Sequence, residues 1–311
     1  MSKNTKKRGR GILPGVDSPK TLIAQAKREV PDFIEHFAKF EQQMVIGGYS
    51  SSTLFNYSRA VAKISLHFKK SLLDLDPEEV NQFLFLLAKE KKASSTYFKH
   101  AVYGLRFFFR LYDMEDRVLK LPTISNERKL PTVFSREELK RLFFVPQRLK
   151  QRVIFSLIYS AGLRVSEASN LKITDIDSDR MRIKVRNSKG NKDRYVILSD
   201  YILKGLRKYM ASNKPKVYLF NGKEKGIPLS HNAIQTSFRL AMKLAKINKD
   251  ASLHTLRHSF ATHLLEEGVD IVTIKELLGH SQIETTMMYL HVAKINRSNA
   301  HSPLDTLYCK K

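Results

Sequence analysis

Cysteine is almost absent from this 311-residue chain: Cys309 has no second thiol to pair with. That excludes an intramolecular disulfide and suits a reducing cytoplasm. No apolar run approaches the roughly 20 residues of a bilayer-spanning helix, so no membrane partner is expected. The N-terminus MSKNTKKRGRG is basic but has no apolar stretch behind it, which excludes a secretory signal. Acidic residues are scarce, 30 Asp and Glu against 55 Lys and Arg, for a formal net charge of +25 and a pI near 10.0. No acidic cluster of the kind that holds magnesium stands out. His254 and His258 have zinc-ligand spacing, but the glutamate of H-E-x-x-H is missing and no cysteine or carboxylate is paired nearby. No metal or other cofactor is expected, and His258 and His263 read as packing or capping residues.

What is abundant is positive charge. Residues 1–130 hold 23 Lys/Arg against 14 Asp/Glu, and residues 131–311 hold 32 against 16. An excess in both halves favours a polyanionic partner, nucleic acid before anionic membrane, and has both halves touching it.

Residues 1–30, with five Lys/Arg in the first ten positions, read as a flexible basic arm. Residues 31–118 carry four helices: Pro31 to Ile46, one from the serines at 50–52, one with Asp76 as N-cap and Pro77 behind it, and one from Ser94 or Ser95. The fourth is crowded with Tyr97, Phe98, Tyr103, Phe107, Phe108 and Phe109, a stripe that suits a core better than a base-stacking platform. Residues 119–132 have two prolines and no periodicity, as a linker does, with the boundary near 125.

Residues 133–295 form a second domain. Ser135 and Glu138 make a capping box, and a buried helix from Leu149 ends at Gly162. Arg164 follows directly, either as a working cation or as a surface charge paired with Glu167. A two-residue period in Met181, Ile183 and Val185, the turn SKGNKD and a second apolar run from Tyr195 to Leu198 make a β-hairpin with Lys189 at its tip. Helices resume after Asp200 and Ser230. The fold is therefore mainly α with a small antiparallel β-sheet. Residues 296–311 form a tail in which Leu304, Leu307 and Tyr308 suit a short helix that docks on a neighbour.

The stretch from Leu253 to His291 concentrates the chemistry. Leu256, Phe260 and Leu264 give one helix an apolar side, while His254 and Arg257, three apart, share another that faces outward. A second helix buries Ile271, Ile274 and Leu278 and stops at Gly279, with His280 just beyond. Ser281 and Glu284 make a capping box for a third helix that carries Tyr289 near its far end.

Such residues fit attack on a phosphodiester by a side chain. In-line displacement builds negative charge on the non-bridging oxygens, and two guanidiniums, Arg164 and Arg257, suit it because each grips two oxygens in a planar fork. The Tyr289 hydroxyl, with a reference pKa of about 10, must lose its proton to attack. His254 and His280 supply hydrogen bonds or accept that proton. The departing 5′ oxygen needs one, and Lys189 is the general acid in reach. A covalent phosphotyrosine retains the bond energy, so rejoining needs no ATP.

The segments AGLRVSEA, SKGNKDR, HTLRHSFATHLLEEG, LLGHS and a tyrosine nine residues after His280 resemble the tyrosine recombinases, the phage integrase family, in its Xer-like branch. They span most of residues 131–295 in the family's order. The resemblance implies a catalytic set of Arg164, Lys189, His254, Arg257, His280 and Tyr289, with Glu167 as a supporting carboxylate. It implies an N-terminal core-binding domain that clamps double-stranded DNA, a homotetramer on two DNA sites, and a Holliday junction between strand exchanges. Integration and excision of a mobile element, with an accessory directionality protein, is the role the long basic arm favours. Xer-type resolution of chromosome dimers is the alternative. A type IB topoisomerase would share the chemistry, but the four-helix clamp and short tail speak against it. A catalytically silent architectural DNA-binding protein is the reading from another class.

Overall fold

A computed structural model describes residues 21–89, 95–119, 121–122, 130–186, 193–222, 224 and 226–294. The chain divides into two units, Met1–Glu127 and Arg128–Lys311.

In the first unit, Thr21 accepts the backbone N–H of Ala24 and starts α1 (Leu22–Glu29), which buries Ile23 and Ala26. The basic arm expected over 1–30 therefore ends sooner. Two buried apolar residues three apart are enough to dock this two-turn helix on α3 (Ser51–Phe68), and residues 1–20 lie outside the described residues. Before α3 comes α2 (Phe33–Ile46), which buries Phe33, Phe37, Phe40 and Met44, a spacing of three and four. Ser50 caps α3 by accepting the N–H of Thr53. At the start of α4 (Pro77–Lys89) the Asp76 carboxylate accepts the N–H of Glu78, and the Asp76 N–H donates to Glu79 Oε2. α5 (Ser95–Arg110) places Phe108 and Phe109 in the core and packs Tyr97, Phe98 and Phe107 against it, so its aromatic stripe is structural. α6 (Glu115–Leu119) is fixed by Arg117, whose guanidinium donates to the carbonyls of Leu73 and Leu75 at 3.0 and 2.8 Å. The four helices read from the sequence are α2 to α5; α1 and α6 are additions.

In the second unit the Ser135 and Glu138 capping box starts α7 (Arg136–Phe144), and the buried α8 (Leu149–Ser160) leads through Gly162 into α9 (Val165–Asn170). Three antiparallel strands follow in the order β1 (Ile176–Asp177), β2 (Arg182–Val185), β3 (Arg194–Ile197), with Ile183 opposite Val196 and both buried. β1 extends the hairpin expected from the sequence, and the tip bearing Lys189 lies outside the described residues. Then come α10 (Asp200–Asn213) and α11 (His231–Leu244), capped by Ser199 and Ser230. α12 (Leu253–Glu266) packs against α8, and α13 (Ile271–Leu278) against α12 and β3. His263 is buried in a hydrogen bond with Tyr159 at 2.9 Å, a packing role.

The end of the element differs from its sequence pattern. α14 (Glu284–Met287) is a single turn whose N-cap is Ile283 with no side-chain cap, so Ser281 and Glu284 form no capping box. A 3₁₀ turn at Met288–His291 continues it and carries Tyr289. The buried side chain of Thr286 is engaged instead with His280, six residues back, which ties this turn to the end of α13.

Gly162 sits at φ 59°, and a Cβ there would stand 2.5 Å from Cδ1 of Phe260 on α12. The Gly162→Ala variant combines a left-handed alanine with overpacking, a loss of about 3 kcal/mol by both effects together. Chemical unfolding of the full chain checks this; an unchanged midpoint would show that the α8 to α9 corner relaxes freely.

Candidate active site

Two glycine helix stops build the site. Gly162 after α8 and Gly279 after α13 turn the chain in the left-handed region, and each turn leaves a carbonyl pointing at a cation. Arg257, on α12, donates to the Gly162 carbonyl at 2.7 Å and to the Leu278 carbonyl at 2.6 Å. Its residue is 1% exposed, which corrects the outward face expected for it. The spacing of the helix puts it off the apolar stripe, but acceptor carbonyls from two distant helix ends draw the guanidinium inward. Burial first, then Arg164, lowers its pKa to about 9, so it remains charged at neutral pH.

Arg164 is the N-cap residue of α9, and its guanidinium reaches the Gly279 carbonyl at 3.4 Å. Glu167 binds it twice, accepting its backbone N–H and its guanidinium, each at 2.8 Å. The surface-pair reading of Arg164 and Glu167 is thus half right: the pair exists, but Glu167 is buried, with its side chain 6% exposed.

Sequence reasoning missed Arg194. The first residue of β3 sends both terminal nitrogens to Glu167 at 2.8 and 2.9 Å and its Nε to the Leu277 carbonyl at 2.9 Å. The arginine stem lies where a Cβ on Gly279 would be, 2.9 Å from its Cδ. The only signal was its place at the end of SKGNKDR, beside Lys189 and Lys192. Glu167 thereby faces three guanidiniums, since Arg257 Nη1 is 3.8 Å from its other oxygen. Burial alone would raise its carboxyl, but hydrogen bonds and charge from Arg194, then Arg164, more than reverse this and bring it to about 2.

The histidines line the same positive centre. His280, immediately after Gly279, hydrogen-bonds through Nδ1 with Thr286 at 2.9 Å. Burial, then Arg257, Arg164 and His254, push its pKa down to about 3. His254 lies at the surface end of α12, lowered by desolvation and then by Arg257 and Arg164. Its ring meets that of His258 edge to face at 4.6 Å. Tyr289 is 1% exposed, and its hydroxyl is 3.0 Å from Nδ1 of His258. Burial raises the phenol to about 12, against the pull of Arg257 and Arg164. The structure therefore brings His254, His280 and Tyr289 within the field of Arg164 and Arg257, whose guanidiniums Glu167 holds, giving a centre with an excess of cations, a receptor for a tetrahedral anion. Lys189 lies outside the described residues, between two strands of which the second is tied to this centre by Arg194. Among the described residues no group of three or more His, Cys, Asp or Glu side chains is placed to hold a metal.

Two family models match the chain: the phage integrase family over residues 132–295, and the phage integrase N-terminal SAM-like domain over residues 36–116. The tyrosine recombinase XerA of Thermococcus kodakarensis is 37% identical over 261 residues, covering 83% of this chain and 91% of that protein. An integrase/recombinase of Escherichia coli is 31% identical over 293 residues, covering 79% and 86%. The XerH site-specific recombinase, solved bound to palindromic difH substrate as a post-cleavage complex, shares the fold with a TM-score of 0.67 at 21% identity, covering 88% of this chain and 90% of that one. With both units matched in order, the chain belongs to the phage integrase family, as a site-specific tyrosine recombinase of its Xer-like branch.

Proposed function

We propose that this recombinase cuts and rejoins double-stranded DNA through a 3′-phosphotyrosine on Tyr289, without metal or ATP, and exchanges strands through a Holliday junction. The observation that carries this reading is the convergence of Arg164, Arg257, His254 and His280 on the centre that also holds the phenol. In it, Arg164 and Arg257 grip the non-bridging oxygens of the scissile phosphate, and His254 and His280, both held neutral, donate or accept hydrogen bonds there. Glu167 orients the guanidiniums. Lys189 protonates the departing 5′ oxygen, so the attacking and leaving groups each have a proton partner.

DNA as the partner is supported by the excess of positive charge in both halves and by the substrate-bound state of XerH. Residues 31–118 serve as the DNA clamp, 119–132 as the linker and 133–295 as the catalytic domain. The basic residues of 1–20 follow the backbone, and 296–311 dock on a neighbouring protomer. Four protomers act on two sites in the cytoplasm, with an accessory protein setting direction. Integration and excision of a mobile element is the role adopted, supported by the likeness to the Escherichia coli integrase/recombinase. Resolution of chromosome dimers is the second reading, favoured by the likeness to XerA.

A nicked suicide duplex built from sequence flanking the gene tests the chemistry. The wild-type protein is expected to give a protein–DNA adduct that survives denaturant, and Tyr289→Phe to bind the same DNA and give none. Binding without an adduct in the wild type would favour the architectural protein instead.

A further inference from the structure

The phenol has a partner that the chemistry above leaves unused. His280 directs Nδ1 at Thr286, and His254 meets the site through its position beside the arginines, but the ring nitrogen within hydrogen-bond distance of Tyr289 Oη belongs to His258, at 3.0 Å. The two rings lie 5.7 Å apart at 54°, and the ring of His254 also meets His258, edge to face at 4.6 Å. We propose that His258 is a further catalytic residue of this recombinase, holding the Tyr289 hydroxyl through Nδ1 and taking its proton as the oxygen attacks phosphorus. The inference rests on strand cleavage by Tyr289.

The protons and bonds balance. The phenolic hydrogen passes to Nδ1 of a ring whose other hydrogen sits on Nε2, giving an imidazolium. The Oη–P bond forms, the P–O5′ bond breaks, and O5′ takes a proton from the general acid. Rejoining runs the steps in reverse, and His258 returns the proton to Tyr289. Burial, then His254 and Arg257, hold the resting imidazole at about 4, so it is neutral and able to accept. A phosphodiester bound between Arg164 and Arg257 adds a negative charge beside it, which offsets those cations and makes the ring more basic when the proton must move. The same placement gives the tyrosine an acceptor before substrate arrives, in a pocket where water does not reach the phenol.

Single-turnover adduct formation on the suicide duplex tests this in the full chain. His258→Phe keeps an aromatic ring and removes the acceptor; it is expected to slow cleavage by about 100-fold, with DNA binding unchanged. His258→Gln, whose amide oxygen accepts the hydrogen bond but not the proton, is expected to fall between. The decisive readout places a fluorinated, far more acidic tyrosine at position 289. That phenol ionises without help, so it restores cleavage in the His258→Phe background. A loss that it does not restore would mean that His258 serves packing alone. Cleavage at or above the wild-type rate in His258→Phe would mean that the contact only holds the tyrosine at rest. Absence of a wild-type adduct would overturn the tyrosine-cleavage reading itself and this inference with it.

Discussion

Arg257→Lys is expected to cut single-turnover strand cleavage by roughly 100- to 1,000-fold, the loss that follows removal of one preorganised donor from a developing anion. Lysine keeps the charge but not the fork. In the structure two of the guanidinium nitrogens are already committed, to the carbonyls of Gly162 and Leu278. Nε is buried without a partner among the described residues. An ammonium on a flexible stem reaches one of these carbonyls at a time, so either the α8 to α9 corner or the end of α13 loses its tie. Arg257→Leu goes further, leaving both carbonyls unpaired in the interior at about 1–3 kcal/mol each. For a unit of this size that lowers the thermal midpoint by about 10 °C. Calorimetry and the adduct assay on the same preparations separate the two effects. Lysine expected to fold well but cleave poorly is the signature of the fork; lysine that cleaves within a factor of about two of wild type would show that charge alone suffices.

What the sequence makes legible here is what local physics decides. The caps Ser50, Ser135, Ser199 and Ser230 satisfy N–H groups three residues away, so type and start of these helices follow from a few neighbouring residues. Gly162 and Gly279 are readable as helix stops for the same reason. What their carbonyls accept is not readable, because the donor to Gly162 lies 95 residues on and the donor to Gly279 lies 115 residues back. Amphipathic spacing places Arg257 away from Leu256 and Phe260 and so faces it outward; only the approach of α8 and α13 shows that the polar side of α12 is also interior. Arg194 and His258 are hidden by the same gap. Each has an ordinary local reading, a hairpin cation and a packing histidine, and acquires its role from Glu167 and Tyr289, 27 and 31 residues distant. Helix α1 shows the limit from the other side: two buried side chains carry too little periodicity to stand out among basic residues.

Glu167→Gln is expected to uncouple the site from acid. The wild-type carboxyl lies at about 2 against an ordinary value of 4.5, a displacement worth about 3 kcal/mol. The sign follows from proton uptake: below its ordinary value the unfolded carboxylate binds a proton that the folded one refuses. This stabilisation is therefore fully present above about pH 4.5 and is lost as pH falls toward 2. His258, His280 and His254 are lowered too, so the unfolded chain also gains protons from about pH 6.5 downward, and wild-type stability alone mixes these contributions. The difference between wild type and Glu167→Gln isolates the carboxylate. It should be about 3 kcal/mol at pH 7 and shrink to nothing near pH 2 in parallel urea titrations. At neutral pH the amide also turns an N–H₂ toward Arg164 or Arg194, both of which donate, leaving three guanidiniums with no anion between them. Cleavage should fall by about 100-fold through misplacement of the arginines, with the pH-independent part of the loss surviving at any pH where the protein is folded. A stability difference that stays constant from pH 7 to 3 would place the binding of Glu167 outside electrostatics, and the three-arginine clamp would then be packing rather than charge.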